Sequence, residues 1–192
     1  MTFKNNRAFF SSDHEGYISL PGMVFDRSPI AVSIEIWVNT NVGGGYSTTT
    51  GTPPLLSFGE TAPASGFAFP SRVWLGRDAN DGLSLSYSDP TDGIIYSTVA
   101  QDYPFSYGEM QLVVTLEQGR FAMLYVNGVL EATLLTHVIS HIPAAVTYAT
   151  LGGDERGAFS GSISDVGVWA GAMSADEVFS RYASEAGKCD RW

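Results

Sequence analysis

Val32-Ser33-Ile34-Glu35-Ile36-Trp37-Val38-Asn39 changes chemistry at every step. In an extended chain Val32, Ile34, Ile36 and Val38 fall on one side, and Ser33, Glu35, Trp37 and Asn39 on the other. A helix would scatter the aliphatic set around its circumference, so this stretch reads as a strand with an apolar inner face and a mixed outer one. Outward from it the pattern recurs. Met110, Leu112, Val114 and Leu116 interleave with Gln111, Val113, Thr115 and Glu117, and Leu83, Leu85 and Tyr87 with Ser84, Ser86 and Ser88. These are the marks of half-buried antiparallel strands.

The turns agree with the strands. Asn127-Gly128, between two apolar alternations, predicts a tight hairpin, because both central residues of a type I′ turn need positive φ. Asp81-Gly82 and Asp92-Gly93 punctuate the chain similarly. About a dozen strands are expected, near 8–10, 17–20, 31–39, 54–59, 66–75, 83–88, 94–100, 110–117, 121–127, 129–134, 146–152 and 159–169. The core should hold Ile34, Ile36, Leu112, Val114, Leu116 and Val166. One helix is expected, and it comes last. Ser174-Ala175-Asp176-Glu177 is a capping box, with Met173 and Val178 spaced for a hydrophobic staple, and the helix should run to about Ser184. The loop from Thr40 to Pro53, rich in Gly and Thr, is the one low-complexity stretch.

Composition narrows the function classes. The 192 residues suit one domain, with 44% hydrophobic and 16% charged residues, which excludes a disordered acidic tail. No apolar run reaches the roughly 18 residues of a membrane span. Net charge is −10, and Lys4 and Lys188 are the only lysines. Without a basic face, neither a nucleic acid nor an anionic membrane surface is an expected partner. Met1-Thr2-Phe3-Lys4-Asn5-Asn6 has no apolar h-region, so no signal peptide is expected here, as would also hold for a piece of a longer secreted chain. Cys189, the one cysteine, cannot form an internal disulfide.

Taken in order, the pieces resemble the laminin-G-like jelly roll of the concanavalin-A-like superfamily. Arg7-Ala8-Phe9-Phe10 with Tyr17-Ile18-Ser19-Leu20-Pro21 is similar to its first hairpin, and Val32 to Val38 to its strand ending in Trp-Val. Leu55-Leu56-Ser57-Phe58-Gly59 follows in place. Leu124-Tyr125-Val126-Asn127-Gly128 matches the Tyr-Val-Asp/Asn-Gly hairpin. Phe159-Ser160-Gly161-Ser162-Ile163-Ser164-Asp165-Val166, then Val168-Trp169 and Met173-Ser174, resembles the last strand and C-terminal turn. The resemblance implies an all-β, antiparallel two-sheet jelly-roll sandwich over residues 1–192, with one short C-terminal helix. It also implies a unit within a larger extracellular or cell-surface protein.

Relatives of this kind bind glycans, other proteins or calcium, act as spacers, or in a minority cleave glycosides. Fold alone does not choose among these. The glycosidase branch carries its carboxylates as Glu-x-Asp-x-x-Glu on one strand face. That string is absent, and Glu35 has only Ser33 and Trp37 as same-face neighbours, so catalysis is not expected. A sugar site needs an aromatic platform beside hydrogen-bonding groups. Trp37 with Glu35, Arg72 with Trp74, and Tyr46 on the Gly/Thr loop supply the candidates, although the family carries a Trp at the position of Trp37 whatever its ligand. The expected ligand is a glycan, with a structural or protein-interaction role as the alternative.

A calcium ion needs several converging oxygens. Asp78 and Asp81, in Asp78-Ala79-Asn80-Asp81-Gly82, are one candidate pair, and the same residues also suit a plain tight turn. Asp154 and Asp165, with Glu155 and with Asp13 or Glu15 from the first loop, are the other, since in this family a cation often ties such edge loops together. His137 and His141 are four apart, but Pro143 and the β-branched surroundings read as a loop that does not assure one shared face; His14 stands alone and Cys189 has no nearby His of the right spacing, so zinc is not expected.

Overall fold

The computed structural model describes residues 2–4, 7–11, 16–20, 23–24, 30–40, 54–59, 72–78, 80, 82–88, 94–104, 108–135, 142, 145–146, 148–154 and 157–189. In chain order the strands are β1 (Thr2–Lys4), β2 (Arg7–Phe10), β3 (Ile18–Ser19), β4 (Met23–Val24), β5 (Ala31–Asn39), β6 (Pro54–Gly59), β7 (Arg72–Arg77), β8 (Gly82–Ser88) and β9 (Ile95–Pro104). They continue with β10 (Glu109–Glu117), β11 (Phe121–Val126), β12 (Val129–Leu135), β13 (Ala145–Val146), β14 (Tyr148–Leu151), β15 (Gly153–Asp154), β16 (Gly157–Ala158) and β17 (Gly161–Ala170). The helix α1 spans Ala175–Cys189.

Two antiparallel sheets form the sandwich, one in the order β1-β2-β17-β5-β10-β11-β12 and the other β3-β14-β6-β7-β8-β9. Two ribbons, β13-β4 and β15-β16, complete the pairing. On β5 and β10, Ile36 lies opposite Leu112 and Ile34 opposite Val114. Both pairs point inward, onto Leu56, Phe58, Val73, Leu75, Leu83, Leu85 and Tyr87 of the second sheet, in one buried cluster. Asn127 (φ 51°) and Gly128 (φ 82°) make the expected hairpin turn. Gly128 is required twice over, because a Cβ there would also lie 3.1 Å from Tyr182 Cβ on α1.

The outer face of β5 is not the solvent-facing surface that alternation alone suggests. Ser33, Glu35 and Trp37 are all buried, and so are Gln111, Val113 and Thr115 beside them. The reason is α1, which lies across this face. Val178 packs with Val113, Tyr125, Met123 and Met173, and Tyr182 stacks on Trp37 with ring centroids 6.1 Å apart. Glu35 Oε2 accepts from Arg181 Nε at 2.7 Å, while Oε1 accepts from Gln111 Nε2 at 2.6 Å. Ser33 fixes the approach to the helix: its hydroxyl donates to the Gly171 carbonyl and accepts from the Met173 amide, each at 2.8 Å.

The cap forms as the sequence predicts. The Ser174 amide donates to Glu177 Oε2 at 2.7 Å, and the Glu177 amide donates back to Ser174 Oγ at 3.3 Å. Beyond the expected end at Ser184 the helix continues to Cys189, and the Ser184 hydroxyl donates to the Arg181 carbonyl at 2.8 Å. Val166 departs from the expected core: it is 39% exposed. Between Ser164 and Gly167 the register of β17 on β5 shifts, with Asp165 at φ 48°. Asp165 and Val166 together stand opposite the single residue Ile36, which turns Val166 outward and leaves Val168 to resume the inner face. Of the expected strand 66–75, residues 66–71 lie outside the described residues and β7 begins at Arg72.

Ile36→Ala should cost about 2–5 kcal/mol in urea unfolding, whereas Val166→Ala should stay within about 0.5 kcal/mol. Arg181→Ala should cost about 2–3 kcal/mol by orphaning Glu35, less than for a sealed pair because Arg181 is 39% exposed. The Ser174 amide and hydroxyl hold the Glu177 carboxyl below its usual range. A lowered acid pKa adds stability above the unfolded pKa and loses it as the pH falls through the folded one. Wild type should therefore exceed Glu177→Gln in stability at pH 7, and urea midpoints of the two should converge below the ordinary glutamate range.

Candidate functional site

With α1 on the seven-stranded sheet, the outer face of the six-stranded sheet is the remaining broad strand surface. Its chemistry follows from alternation on each strand. Val73 and Leu75 point into the core, so Trp74 lies on the opposite face of β7, as the sequence predicts. Leu83, Leu85 and Tyr87 turn Ser84, Ser86 and Ser88 of β8 outward in the same way.

Pairing then assembles one row across the sheet. Ser19 on β3 stands opposite Thr150 on β14, Thr150 opposite Ser57 on β6, and Ser57 opposite Trp74. Trp74 in turn faces Ser86 on β8, and Ser86 faces Ser97 on β9. Five hydroxyl side chains and one indole therefore share a line perpendicular to the strands, spaced about 4.8 Å apart. Trp74 is partly exposed between two small neighbours, Ser57 and Ser86. Ser84 Oγ lies 3.5 Å from Ser86 Oγ. Thr150 is buried beside Ser57 in this row. Arg72 begins β7, with its backbone opposite Gly59 and Ser88.

The other expected site residues separate. Glu35 is 3% and Trp37 5% exposed beneath α1, so the pair expected to offer a sugar platform instead anchors the helix. Tyr46 and Asp81 lie outside the described residues, as do Asp13, Glu15, Glu155, His14, His137 and His141. Asp78 Oδ1 accepts from the amides of Asn80 and Gly82, at 2.9 and 2.6 Å, the bonding of a tight Asx turn. Asp154 is buried in the β15–β16 ribbon and Asp165 sits exposed in the bulge of β17. Among the described residues no three His, Cys, Asp or Glu side chains converge as metal ligands.

A groove of about 540 Å³ between the end of β17 and α1 has no counterpart in the sequence expectations. Trp169, Met173, Glu177 and Arg181 are among its lining residues. Two of its polar groups are already committed: the Arg181 guanidinium lies 4.2 Å over the Trp169 ring and binds Glu35, and Glu177 closes the helix cap. A Cβ on Gly167 would collide with the Trp169 ring, which shows how closely that indole packs on its own strand. The groove is part of the helix dock, and the row through Trp74 is the better site.

Serine alternation on β8 and the ring on β7 were legible in the sequence. Ser57, Thr150 and Ser97 were not, because only cross-strand register brings them to Trp74.

Solved structures share the fold. The CBM40 domain of the Ruminococcus gnavus IT-sialidase, bound to α2,3-sialyllactose, superposes with a TM-score of 0.61 at 20% identity, over 90% of this chain and 100% of that one. The botulinum neurotoxin serotype G binding domain gives 0.59 at 15% identity, over 85% of this chain and 38% of its own. Trypanosoma rangeli sialidase gives 0.58 at 16%, over 81% and 23%. Among curated proteins none matches this sequence. The family model Laminin_G_3, described as the concanavalin A-like lectin/glucanases superfamily, matches residues 12–179. With most of its length matched and both sheets in place, the chain belongs to that family.

Proposed function

We propose that this chain is a non-catalytic glycan-binding module whose ligand lies on the outer face of the six-stranded sheet, with a sugar ring stacked on Trp74. The carrying observation is the pairing of Trp74 with Ser57 on one side and Ser86 on the other. An indole offers its face to the C–H side of a pyranose. Arg72, two residues before Trp74 on β7, is the proposed polar or charged contact at the end of the ring.

Two physical points disfavour hydrolysis as the activity. Glycoside cleavage uses two carboxylates about 5 to 9.5 Å apart. The row through Trp74 contains none, and Glu35 is held by Arg181 and Gln111. Among the structural neighbours, the Ruminococcus gnavus domain is seen with a bound sialylated sugar, which supports a glycan as the ligand class. The reading carries with it an extracellular or cell-surface setting within a larger protein. Calcium at Asp154 and Asp165, or at Asp78 and Asp81, belongs to the same proposal.

A glycan array probed with and without a chelator tests both parts, and loss of signal on chelation is the result expected if the ion participates. Trp74→Ala should weaken binding of any array-positive sugar by about 1–3 kcal/mol in calorimetric titration, with little change in Tm because Trp74 lies outside the core clusters. Undiminished binding by Trp74→Ala would remove the site. The exposed Phe179 and Val129, close to Gly128, would then favour a protein-interaction module instead.

A further inference from the structure

A second aromatic ring stands on the same sheet face as Trp74. Ala149 and Leu151 of β14 point into the core, which turns Tyr148 outward on the side of Thr150. Tyr148 is partly exposed, as Trp74 is. Register fixes how far apart the two stand. Tyr148 lies opposite Gly59 on β6, and Gly59 lies opposite Arg72, two residues along β7 from Trp74. Two strand spacings across the sheet and two residues along it separate the backbones of Trp74 and Tyr148 by roughly 12 Å. Between them Phe58 points into the core, and β6 offers the outer face only Ser57 and Gly59. That strand therefore raises no bulky side chain between the two rings.

Resting on the glycan reading above, we infer that Tyr148 is a second stacking platform, and that the module takes an extended oligosaccharide of at least three linked units. The chain lies diagonally, from Trp74 on β7 over β6 to Tyr148 on β14. The separation of the platforms decides the length. Adjacent pyranoses share a glycosidic oxygen, so the two rings of a disaccharide sit too close together to cover both aromatic side chains. The first and third rings of a trisaccharide reach them. The middle unit passes over Ser57 and Gly59, where a larger side chain would lift it off the sheet. In chains whose successive units turn over, the first and third rings also present the same face to the sheet. Each aromatic side chain covers the C–H surface of one sugar, so affinity is gained in two steps, one for each platform.

The test uses the full chain in calorimetric titrations with linear gluco-, xylo- and manno-oligosaccharides of one to six units, and with α2,3-sialyllactose. For the preferred sugar, affinity should rise about tenfold from the disaccharide to the trisaccharide, the scale of one aromatic contact, and change little from there to the hexasaccharide. Tyr148→Ala should remove that step, so that the trisaccharide binds like the disaccharide, while Tyr148→Phe, which keeps the ring face, should retain it. The length profile is read on the wild-type chain, so the test does not depend on how well Tyr148→Ala folds. A profile without a step at the third unit, a folded Tyr148→Ala that keeps the step, or its loss in Tyr148→Phe would each overturn stacking at Tyr148. If Trp74→Ala still weakens every length in those cases, the glycan reading stands on Trp74 alone. No binding by any sugar, or full binding by Trp74→Ala, would overturn the glycan reading itself.

Discussion

The strand β5 is covered on both faces, and the arrangement of the rest follows from that constraint. Its inner residues meet the six-stranded sheet, as any sandwich requires. Its outer residues would leave Trp37, Val113 and Tyr125 in water were it not for α1. The helix brings its own anchor, since Arg181 reaches Glu35 and thereby neutralises a carboxylate that the helix itself has buried. Removing either charge alone is costly, because the other stays out of water. The same docking ties the final residues of β17 to β5 through Ser33, so the end of the chain closes over its central strand.

Much of this was legible from side-chain period. The aliphatic set of β5, the serines of β8, the Asn127-Gly128 turn and the Ser174 cap are local signals, each decided within a few residues. What period two cannot report is whether the second face of a strand meets water or another element. Glu35 and Trp37 look like an exposed pair until a helix some 140 residues later is laid on them. Val166 fails for a different reason. A bulge inserts one residue, and nothing in Ser164-Asp165-Val166-Gly167 announces it except that Asp and Gly tolerate unusual backbone angles.

The candidate site divides along the same line. Trp74 stands out in sequence because it is an indole on the polar side of a strand. Its hydroxyl neighbours come from β3, β14, β6, β8 and β9, segments spread from Ser19 to Thr150. Register is a long-range property, fixed by inner-face packing of Leu56 on Leu75 and Leu75 on Leu85. The outer row is a by-product of that inner fit, since a one-residue slip would exchange every serine for a leucine.

That coupling bears on how such a surface can change its ligand. Inner positions hold the register and tolerate little, because each is part of one packed cluster. Outer positions on the same strands contribute little to the core, so Ser84 and Ser97 can vary without disturbing the strand pairing beneath. On the proposed reading, an indole at Trp74 with exchangeable small neighbours would let the recognised sugar shift by single substitutions. A net charge of −10 adds a longer-range preference. It weakens encounter with polyanionic glycans beyond the immediate contacts, an effect that salt screens over about 8–10 Å, while leaving neutral chains unaffected. On the proposed glycan reading, stacking at Trp74 and contacts along the row would be short-ranged, so for neutral sugars selectivity would rest on shape and hydrogen bonding at the sheet, and for acidic ones on whether Arg72 offsets the field of the whole domain.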